Sequence, residues 1–510
     1  MHTTIIFQGK VGYNRRMKQQ ALLAHLQEHG CVPVHIGELP LKAHFIGICG
    51  AGMSPVAKLL KESGWTISGS DEGCYPPVSD YLTRNGLPCL VGYSPENIPV
   101  DADLIVVGKH ARLEPESNGE VCAAMASSKR VVSFPEVLSD LTRSTNNLVI
   151  AGSFGKSTNS ALIAWCLLNT GRDPSYFIGA TPIGMETNAH IGCDGVFVLE
   201  GDEYPSANWD DTSKFLYYNA SSVLLISGEH DHVNVFPTVE DYLAPFIELV
   251  RRLPADGVIV ACQDGENVDA ILSRAGRVAI RYGLAPGADW TASGIGYGPE
   301  ISFTLERFSK PVTRLTTSLL GAHNVQNIVG ASAFLLSQDL LTVEELKRGI
   351  ASFQGVRRRL DSIADRSAVP VYEGFGSSHA KARAAIEAMR LRFPDRRLIV
   401  VFEPHTFSLR SRAAIHWYDD LFDGVGYTLI YDPPTHGAET IDQLSQDEIV
   451  ERVRQAGHAV EAIHGLSDGL EKLERTLQPD DAVLISTSGG MGGLVKAIPK
   501  LAERLFPKLR

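Results

Sequence analysis

The sequence of 510 residues predicts the α/β fold class, with three domains behind a short N-terminal extension. Apolar segments typical of buried strands alternate with helical segments along most of the chain, which indicates parallel sheets covered by helices on both faces. The length corresponds to about three domains of roughly 100–200 residues each. The stretch 284–318 differs, because it alternates like antiparallel strands and has few helix signals.

Composition and charge describe an ordinary soluble globular chain, with 44% hydrophobic and 21% charged residues. The net charge of −12 argues against a general nucleic-acid binder, since the phosphate backbone favours a basic surface. No apolar run approaches the ~20 residues of a membrane span. Residues 1–20 lack the apolar core of a signal peptide, so we expect a cytoplasmic protein. The cysteines are scattered without a Cys-x-x-Cys pair, which argues against a zinc site and a secreted disulfide framework.

The N-terminal extension, residues 1–42, contains a small predicted strand–helix–strand unit. Its strands are predicted at 3–8 and 31–36, and its helix at 15–29. The pattern favours an extra packing element, and the role of this extension is left open. The remaining chain is divided into domains at 43–142, 143–354 and 355–510.

The stretch "AHFIGICGAGMSPVAKLLKESGWTISGSD", residues 43–71, predicts a Rossmann-like start for the first of these domains. Strand 44–48 runs into three glycines and a helix. Glycines at this place let the backbone turn tightly and approach a phosphate at the helix N-terminus. Asp71, about twenty residues later, suits a ribose hydroxyl. The spacing is Gly-x-x-Gly-x-Gly rather than Gly-x-Gly-x-x-Gly, so a tight turn without a ligand is the alternative.

The stretch "VIAGSFGKSTNSALIAWCL", residues 149–167, resembles a phosphate-binding loop at the start of the central domain. Backbone amides of residues 152–157 would cradle phosphate oxygens at a helix N-terminus. Lys156 would lie against the β and γ phosphates, and Ser157 would offer its hydroxyl to Mg²⁺. The usual loop has a further glycine at the position that Ile150 occupies.

Acidic and histidine residues follow two predicted strands of the same domain. Glu200, Asp202 and Glu203 end the strand 195–200, where a Mg²⁺ ligand is expected beside a phosphate loop. The stretch "EHDH", residues 229–232, ends the strand 222–227 and would suit a second metal. An exposed acidic loop is the alternative for the first stretch, and a structural histidine is the alternative for the second. Other strands are predicted at 104–108, 147–151, 257–262, 370–373, 396–402, 426–432 and 481–487.

At this point the chain resembles the Mur ligases, the ATP-dependent ligases of peptidoglycan synthesis. Their loop Gly-x-x-Gly-Lys-Ser/Thr matches "GSFGKS" and explains the missing upstream glycine. Further motifs follow in the family's order, and the resemblance covers roughly residues 43–500. These motifs are "HFIGICGAGMS" with "GSD", "EGDEY", "EHDH", "LLGAHNVQN" and "FQGVRRRLD".

The resemblance implies a Rossmann-like UDP-binding domain, a central P-loop ATPase-like domain, and a Rossmann-like C-terminal domain for the amine substrate. It implies UDP-N-acetylmuramate at Gly50, Ala51, Gly52, Met53, Ser54 and Asp71. It implies ATP as a co-substrate at Gly152, Ser153, Phe154, Gly155, Lys156, Ser157, Thr158, Asn327 and Arg359. It implies Mg²⁺ at Ser157, Glu200 and His232, and catalytic roles for Lys156, His232 and Arg359.

The acceptor amine divides the members of this family. A subgroup that carbamoylates a lysine about fifteen residues after the metal histidine is disfavoured, because no lysine lies between Lys214 and Lys310. Two activities remain, which add either L-alanine or the recycled tripeptide L-alanyl-γ-D-glutamyl-meso-diaminopimelate. The stretches "CYPPVSDYL", "DEYPSANWDDTSKF" and "SGGMGG" favour the tripeptide, and L-alanine is the alternative. Arg410 and Arg412 are the predicted partners of the tripeptide carboxylates.

Two departures from the family pattern motivate a second alternative, a non-catalytic UDP-sugar-binding homologue. The family's Asp-Asp-Phe/Tyr-Ala/Gly-His-His-Pro is replaced by "EGFGSSH", which places Gly374 where an aspartate normally faces the nucleotide. Glu373 is the candidate substitute for that aspartate. Asn234 stands where aspartate is usual. The sequence leaves the oligomeric state and the third residue of the peptide open.

Overall fold

The structure is a computed structural model that describes residues 42–76, 78–232, 235–434 and 442–508. Within these ranges the chain builds three large sheets in succession, each flanked by helices, so the predicted α/β fold class is confirmed. The predicted strands and helix of the N-terminal extension, and Asn234, lie outside the described residues. No helix among the residues the structure describes is both long and apolar enough to cross a membrane.

The first sheet has five parallel strands whose order creates a crevice at their carboxyl ends. Across the sheet the order is Leu90–Val91, Thr66–Asp71, Lys42–Ile46, Leu104–Val107 and Arg130–Val132. The central strand is followed by the glycine loop, at the point where successive connections leave in opposite directions. The helices are Met53–Glu62, Val78–Arg84, Gly119–Ala126 and Phe134–Leu141.

The second sheet has ten strands and changes from parallel to antiparallel pairing along its width. Its order is Lys310–Thr317, Ile301–Arg307, Trp290–Gly296, Ile280–Tyr282, Ile259–Cys262, Ser222–Leu225, Asn146–Ala151, Val196–Gly201, Ser175–Phe177 and Ala189–His190. The three strands between residues 290 and 317 pair antiparallel, which confirms the prediction for that stretch. Its helices are Lys156–Leu168, Val239–Arg252, Val268–Ala275, Ala322–Leu336 and Val343–Ser352.

The third sheet has six strands, of which five are parallel. Its order is Asp361–Ser362, Val371–Gly374, Asp481–Ser486, Arg397–Phe402, Tyr427–Tyr431 and Val460–Ile463, with the short first strand antiparallel. The helices are His379–Arg392, Phe407–Arg410, Gln446–Gln455, Gly465–Thr476 and Leu494–Leu505. In all three sheets, the compared strand ends differ from the sequence-based predictions by a few residues at most.

Strand register in the second sheet brings three sequence-distant loops to one edge. Ile150 pairs with Glu200, and Leu225 pairs with Ala151. The phosphate-type loop, the acidic stretch after Glu200 and the loop before His232 therefore leave neighbouring parallel strands at the same end. The third sheet follows in the chain and places its own residues opposite this edge, as the lining of the shared cavity shows.

Three cysteines converge at the equivalent edge of the first sheet. The Sγ atoms of Cys49, Cys74 and Cys89 all lie within 4.8 Å of one another. The sequence spacing argued against a zinc site and did not indicate this thiol cluster. Spacing did not reveal the cluster because the three cysteines are far apart in the chain and only the fold brings them together. Cys49 and Cys74 follow the carboxyl ends of neighbouring parallel strands, and Cys89 immediately precedes the short strand Leu90–Val91, which pairs with the strand Thr66–Asp71 at that same end.

Candidate active site

The loop between the strand Asn146–Ala151 and the helix Lys156–Leu168 has backbone angles and surroundings that require glycine at two positions. Gly152 has φ +147° and Gly155 has φ +76°. A Cβ on Gly152 would lie 2.9 Å from the backbone nitrogen of Ser227, and one on Gly155 would lie 2.9 Å from Asn327 Oδ1. The loop therefore wraps tightly around the helix N-terminus, whose free amides and dipole favour an anion.

Lys156, the first residue of that helix, is held inside the loop by two oxygens. Its Nζ donates to the Gly152 carbonyl at 2.6 Å and to Glu203 Oε2 at 2.7 Å. Burial lowers the pKa of Lys156, but the carboxylates of Glu203, Asp202 and Glu200 raise it above its ordinary value. The lysine is therefore a fixed cation that faces the position where the helix amides would hold a phosphate.

Glu203 is a central residue of this site that sequence reasoning did not assign. Its side chain is 1% exposed and contacts Lys156 and, at 3.4 Å, His232 Nε2. Burial opposes its ionisation, but the charges of Lys156 and His232 hold the pKa of Glu203 well below the ordinary value. Its position three residues after Glu200 was visible in the sequence, yet nothing there distinguished it from Asp202.

Ser157 and Glu200 form a hydrogen-bonded pair of oxygen-bearing side chains beside the loop. Ser157 Oγ donates to Glu200 Oε1 at 2.8 Å, and the Gly179 amide donates to Glu200 Oε2 at 2.6 Å. Burial raises the pKa of Glu200, although Gly179, Lys156, Ser157 and Arg359 oppose that shift. A hydroxyl and a carboxylate next to a phosphate-type loop are the donor set that Mg²⁺ prefers.

His232 lies at the border of the site in a left-handed backbone conformation, with φ +58°. Its Nδ1 hydrogen-bonds with the Tyr204 hydroxyl at 3.0 Å, and its ring lies 4.5 Å from the Tyr204 ring. Both ring nitrogens therefore have protein partners, Tyr204 on one side and Glu203 on the other. A metal-binding role would require His232 to release one of them, so this role stays a prediction.

A cavity of about 520 Å³ joins these residues to the third sheet. Its lining includes the predicted ATP and metal residues except Gly152, whose carbonyl accepts a hydrogen bond from Lys156. Those that line it are Ser153, Phe154, Gly155, Lys156, Ser157, Thr158, Glu200, His232, Asn327 and Arg359. The predicted residues from five separate motifs thus line one cavity.

Asn327 connects the phosphate-type loop to the helix Ala322–Leu336. Its Oδ1 accepts from Asn159 Nδ2 at 2.8 Å, and its Nδ2 donates to Asn324 Oδ1 at 3.1 Å. The helix also places His323 on the cavity wall, where burial lowers its pKa to about 4 and leaves it neutral. This end of the cavity offers neutral polar and apolar groups, in contrast to the charged end at Lys156.

Arg359 and Lys381 add two cations from the C-terminal part of the chain. The Arg359 guanidinium lies 4.3 Å from the centre of the Phe375 ring, and Lys381 Nζ lies 3.3 Å from Asp231 Oδ2. Burial lowers the pKa of both groups, and the charges of Lys156 and Arg359 lower that of Lys381 further. Lys381 was missed because it lies 150 residues from Asp231 in the sequence, and only the fold brings them together.

Glu373 and Gly374, which depart from the family's aspartate pattern, lie differently relative to the cavity. Gly374 lines the cavity, and a Cβ at this position would lie 3.3 Å from Leu484 Cδ1. Glu373 does not replace the missing aspartate, because its Oε1 accepts from Arg358 Nε at 2.6 Å and its side chain is outside the cavity lining. Lys381 and Arg359 are the charged groups that this part of the chain contributes instead.

The predicted UDP-sugar residues lie together at the edge of the first sheet and do not line the 520 Å³ cavity. Asp71 Oδ2 accepts from the Cys49 amide at 2.8 Å, so this carboxylate holds the start of the glycine loop. Ser54 Oγ donates to the Gly50 carbonyl at 3.3 Å, and a Cβ on Gly52 would contact the Phe134 ring at 2.8 Å. Ala51 is exposed and Met53 is buried. The uridine role of these residues stays a prediction.

Arg410 and Arg412 do not reach either cavity that contains Lys381. Arg410 is buried and donates to the Pro434 carbonyl and to Gln443 Oε1, the latter at 3.1 Å. Arg412 pairs with Asp442 and Glu448 on the surface. The predicted amine-substrate role finds no support in this geometry, because protein groups already use both guanidinium groups. Both arginines follow a predicted strand end in the sequence. This indicated where they lie in the fold but not which way their side chains point.

The chain is similar to known proteins over nearly its whole described length. Residues 42–145 match the Mur ligase family catalytic domain, and residues 150–335 match the Mur ligase middle domain. A UDP-N-acetylmuramate–L-alanine ligase of Sorangium cellulosum (strain So ce56) is 30% identical over 469 residues, which are 91% of this chain and 97% of that protein.

Two solved structures show a similar fold. A UDP-N-acetylmuramate–alanine ligase of Thermotoga maritima has a TM-score of 0.73 and 20% identity, and the match covers 91% of this chain and 99% of that one. The UDP-N-acetylmuramate:L-alanyl-γ-D-glutamyl-meso-diaminopimelate ligase of Neisseria meningitides has a TM-score of 0.57 and 26% identity, and the match covers 62% of this chain and 99% of that one.

Proposed function

This chain belongs to the Mur ligase family of ATP-dependent ligases, and from that premise we propose that it joins L-alanine to the lactyl carboxylate of UDP-N-acetylmuramate. The sequence motifs alone favoured a tripeptide as the acceptor. The relative at 30% identity, matched over 97% of its length, is named for L-alanine and supports this acceptor instead.

The main observation in support of ATP-dependent chemistry is that three cationic side chains line one cavity. Lys156 comes from the phosphate-type loop, while Arg359 and Lys381 come from the C-terminal part of the chain. Transfer of a phosphoryl group needs positioning and neutralisation of its charge more than covalent help from the protein. A polyphosphate in this cavity would place its negative oxygens among fixed positive groups, where burial strengthens each interaction.

Ser157 and Glu200 are the residues that would hold Mg²⁺, since their hydroxyl and carboxylate already lie 2.8 Å apart beside the loop. The ion would supply further neutralisation of phosphate charge. His232 would serve as a third ligand after its contacts with Tyr204 and Glu203 open.

The proposed reaction has two displacements. An oxygen of the substrate carboxylate attacks the γ-phosphorus of ATP, the bond to ADP breaks, and an acyl phosphate forms. The acceptor's amine then attacks the acyl carbon, the acyl carbon–oxygen bond to phosphate breaks, the amine nitrogen releases a proton to solvent, and an amide and inorganic phosphate remain. Lys156, Arg359 and Lys381 would stabilise the negative charge of the migrating phosphoryl group in the first step and of the departing phosphate in the second.

A neighbouring cavity of about 280 Å³ is the proposed path for the amine. It shares Phe154, His232 and Lys381 with the larger cavity, so a group bound there would face the phosphoryl position. Glu229 and Asp231 lie on its wall, and carboxylates suit the ammonium group of an amino acid.

The tripeptide L-alanyl-γ-D-glutamyl-meso-diaminopimelate is the second candidate acceptor. The Neisseria structure at 26% identity is named for that activity, and the motifs quoted above favour it. Arg410 and Arg412, which were expected to bind the tripeptide's carboxylates, already bind protein groups. The contact that would have favoured the tripeptide over L-alanine is therefore missing.

The two acceptors are compared by measuring phosphate release and amide product with full-length protein, ATP, Mg²⁺ and UDP-N-acetylmuramate. We expect L-alanine to give the higher kcat/KM. A higher value with the tripeptide would overturn the proposed acceptor while leaving the ligase chemistry in place. If no phosphate is released with either acceptor, at any UDP-N-acetylmuramate concentration, the result would favour the non-catalytic homologue.

A further inference from the structure

The cluster of Cys49, Cys74 and Cys89 lies away from the ATP cavity and has no part in the proposed reaction. All three sulfurs are free thiols and partly buried. Cys49 belongs to the glycine loop after the strand Lys42–Ile46, Cys74 follows the strand Thr66–Asp71, and Cys89 immediately precedes the strand Leu90–Val91. The cluster therefore joins three neighbouring segments at one edge of the first sheet.

The distances between the sulfurs suit coordination of one soft cation. Thiolates bind Zn²⁺ at about 2.3 Å with tetrahedral angles, so two bound sulfurs lie about 3.8 Å apart. Cys49 Sγ and Cys89 Sγ lie 3.9 Å apart, and all three sulfurs lie within 4.8 Å of one another. An ion at their centre would require each sulfur to move by about 0.5 Å at most, which is within reach of a small side-chain rotation.

Among the residues that the structure describes, the charged group acting on the sulfurs is the carboxylate of Asp71, which is negative. Burial raises the pKa of Cys49, and Asp71 together with the other two sulfurs raises it further. Burial likewise raises the pKa of Cys89 to about 11. Activated cysteines usually lie beside a cation that lowers their pKa, so these thiols are not arranged as nucleophiles. A group of close sulfurs with an adjacent carboxylate is arranged to receive a cation.

We propose that Cys49, Cys74 and Cys89 form a binding site for a single thiolate-preferring cation, for which Zn²⁺ is the probe. Three sulfurs leave the fourth tetrahedral position for water or for an added ligand. The ion would tie the glycine loop to the two segments that follow it in the sheet. Because Cys49 directly precedes Gly50 and its amide is held by Asp71, occupancy would restrict the loop predicted to bind the UDP-sugar.

The site is tested on the full-length protein, reduced and stripped of metal, by titrating Zn²⁺ against a chromophoric chelator. We expect one equivalent to bind. Co²⁺ in place of Zn²⁺ is expected to show thiolate-to-metal charge transfer and the visible absorption of a tetrahedral centre. Cys74→Ser and Cys89→Ser should each lower the Zn²⁺ affinity by about 10–100-fold, the scale of losing a partner in a metal site.

Two control variants separate this site from other binding. Cys122→Ser removes an exposed thiol outside the cluster and should leave the affinity unchanged. Glu200→Gln removes the predicted Mg²⁺ ligand and should also leave the tight Zn²⁺ equivalent in place. Circular dichroism establishes that each variant is folded, and any variant that is unfolded is replaced by the alanine substitution at the same position.

The proposal is overturned if the unmodified protein binds Zn²⁺ no more tightly than the triple serine variant of the cluster. It is also overturned if Cys122→Ser weakens binding as much as Cys89→Ser does, or if the tight equivalent is lost in Glu200→Gln. None of these results depends on ligase turnover, so failure of the metal site and failure of the proposed acceptor are distinguishable.

Discussion

Two glycine loops of this molecule follow the same local plan and differ in what surrounds them. The loop before Met53 and the loop before Lys156 each lead from a buried parallel strand into a helix N-terminus. Around the second loop, Lys156, Glu203 and Glu200 form a buried set of charges, and two cations face it across a cavity. Around the first loop lie Asp71 and three thiols.

The two loops show that a glycine loop provides backbone amides and lets a ligand approach the backbone closely. The charged side chains around the loop determine which reaction it can support. A helix N-terminus attracts anions in both places. Among the residues that the structure describes, only the second loop has a fixed lysine, the predicted oxygen ligands of a divalent cation and further positive groups, which are the groups that phosphoryl transfer requires. Single substitutions at each loop separate the two experimentally.

Lys156→Ala should separate the loops most sharply. Loss of the fixed cation should lower kcat for ligation by about 10²–10³-fold, the scale of removing one charge-stabilising donor. Isothermal titration should show UDP-N-acetylmuramate affinity close to that of the unmodified protein, because the first loop is untouched. Lys310→Ala, an exposed lysine, is the matched control. Lost UDP-sugar affinity together with preserved turnover would reverse the assignment of the two loops.

His232→Ala should have the next largest effect. If this histidine contributes to a metal site, its loss should cost about 10–100-fold in metal affinity or activity. The measurement is the initial rate as a function of Mg²⁺ concentration, with exposed His416→Ala as the control. A raised Mg²⁺ requirement supports the metal role, and an unchanged profile would leave His232 as a structural partner of Glu203 and Tyr204.

Lys381→Ala tests whether the positive charge that the C-terminal part of the chain supplies acts on ATP bound at the second loop. Losing one cation of three should lower kcat/KM for ATP by about tenfold, which corresponds to about 1.4 kcal/mol. Steady-state kinetics with varied ATP measures this, and Lys496→Ala provides an exposed control from the same domain. If Lys381→Ala and Lys496→Ala had identical kinetics, Lys381 would have no role in ATP binding or turnover beyond its ion pair with Asp231.

Asp71→Asn should give the smallest change and confine it to the first loop. The carboxylate holds the Cys49 amide, and a hydrogen bond of this kind contributes about 0.5–1.5 kcal/mol, or more where a charge is involved. We expect UDP-N-acetylmuramate affinity to fall about 2–10-fold while KM for ATP stays constant. Exposed Asp80→Asn is the control. An altered KM for ATP with intact UDP-sugar affinity would contradict the separation of the loops.

The sequence by itself determined the local features of this protein. Alternating strands and helices predicted the α/β fold class, and the stretch 284–318 predicted the antiparallel strands, because both depend on short-range periodicity. The glycines, Lys156, Ser157 and Glu200 were placed at one sheet edge because the carboxyl ends of parallel strands meet there.

Only the tertiary structure decided which distant side chains meet and where each one points. It joined Glu203 to Lys156 and His232, brought Lys381 to Asp231, and gathered three scattered cysteines. It also directed Arg410 and Arg412 to partners outside the cavities. These outcomes depend on how sheets pack and on the rotamer that each buried charge adopts to find a partner, and neither property leaves a periodic signal along the chain.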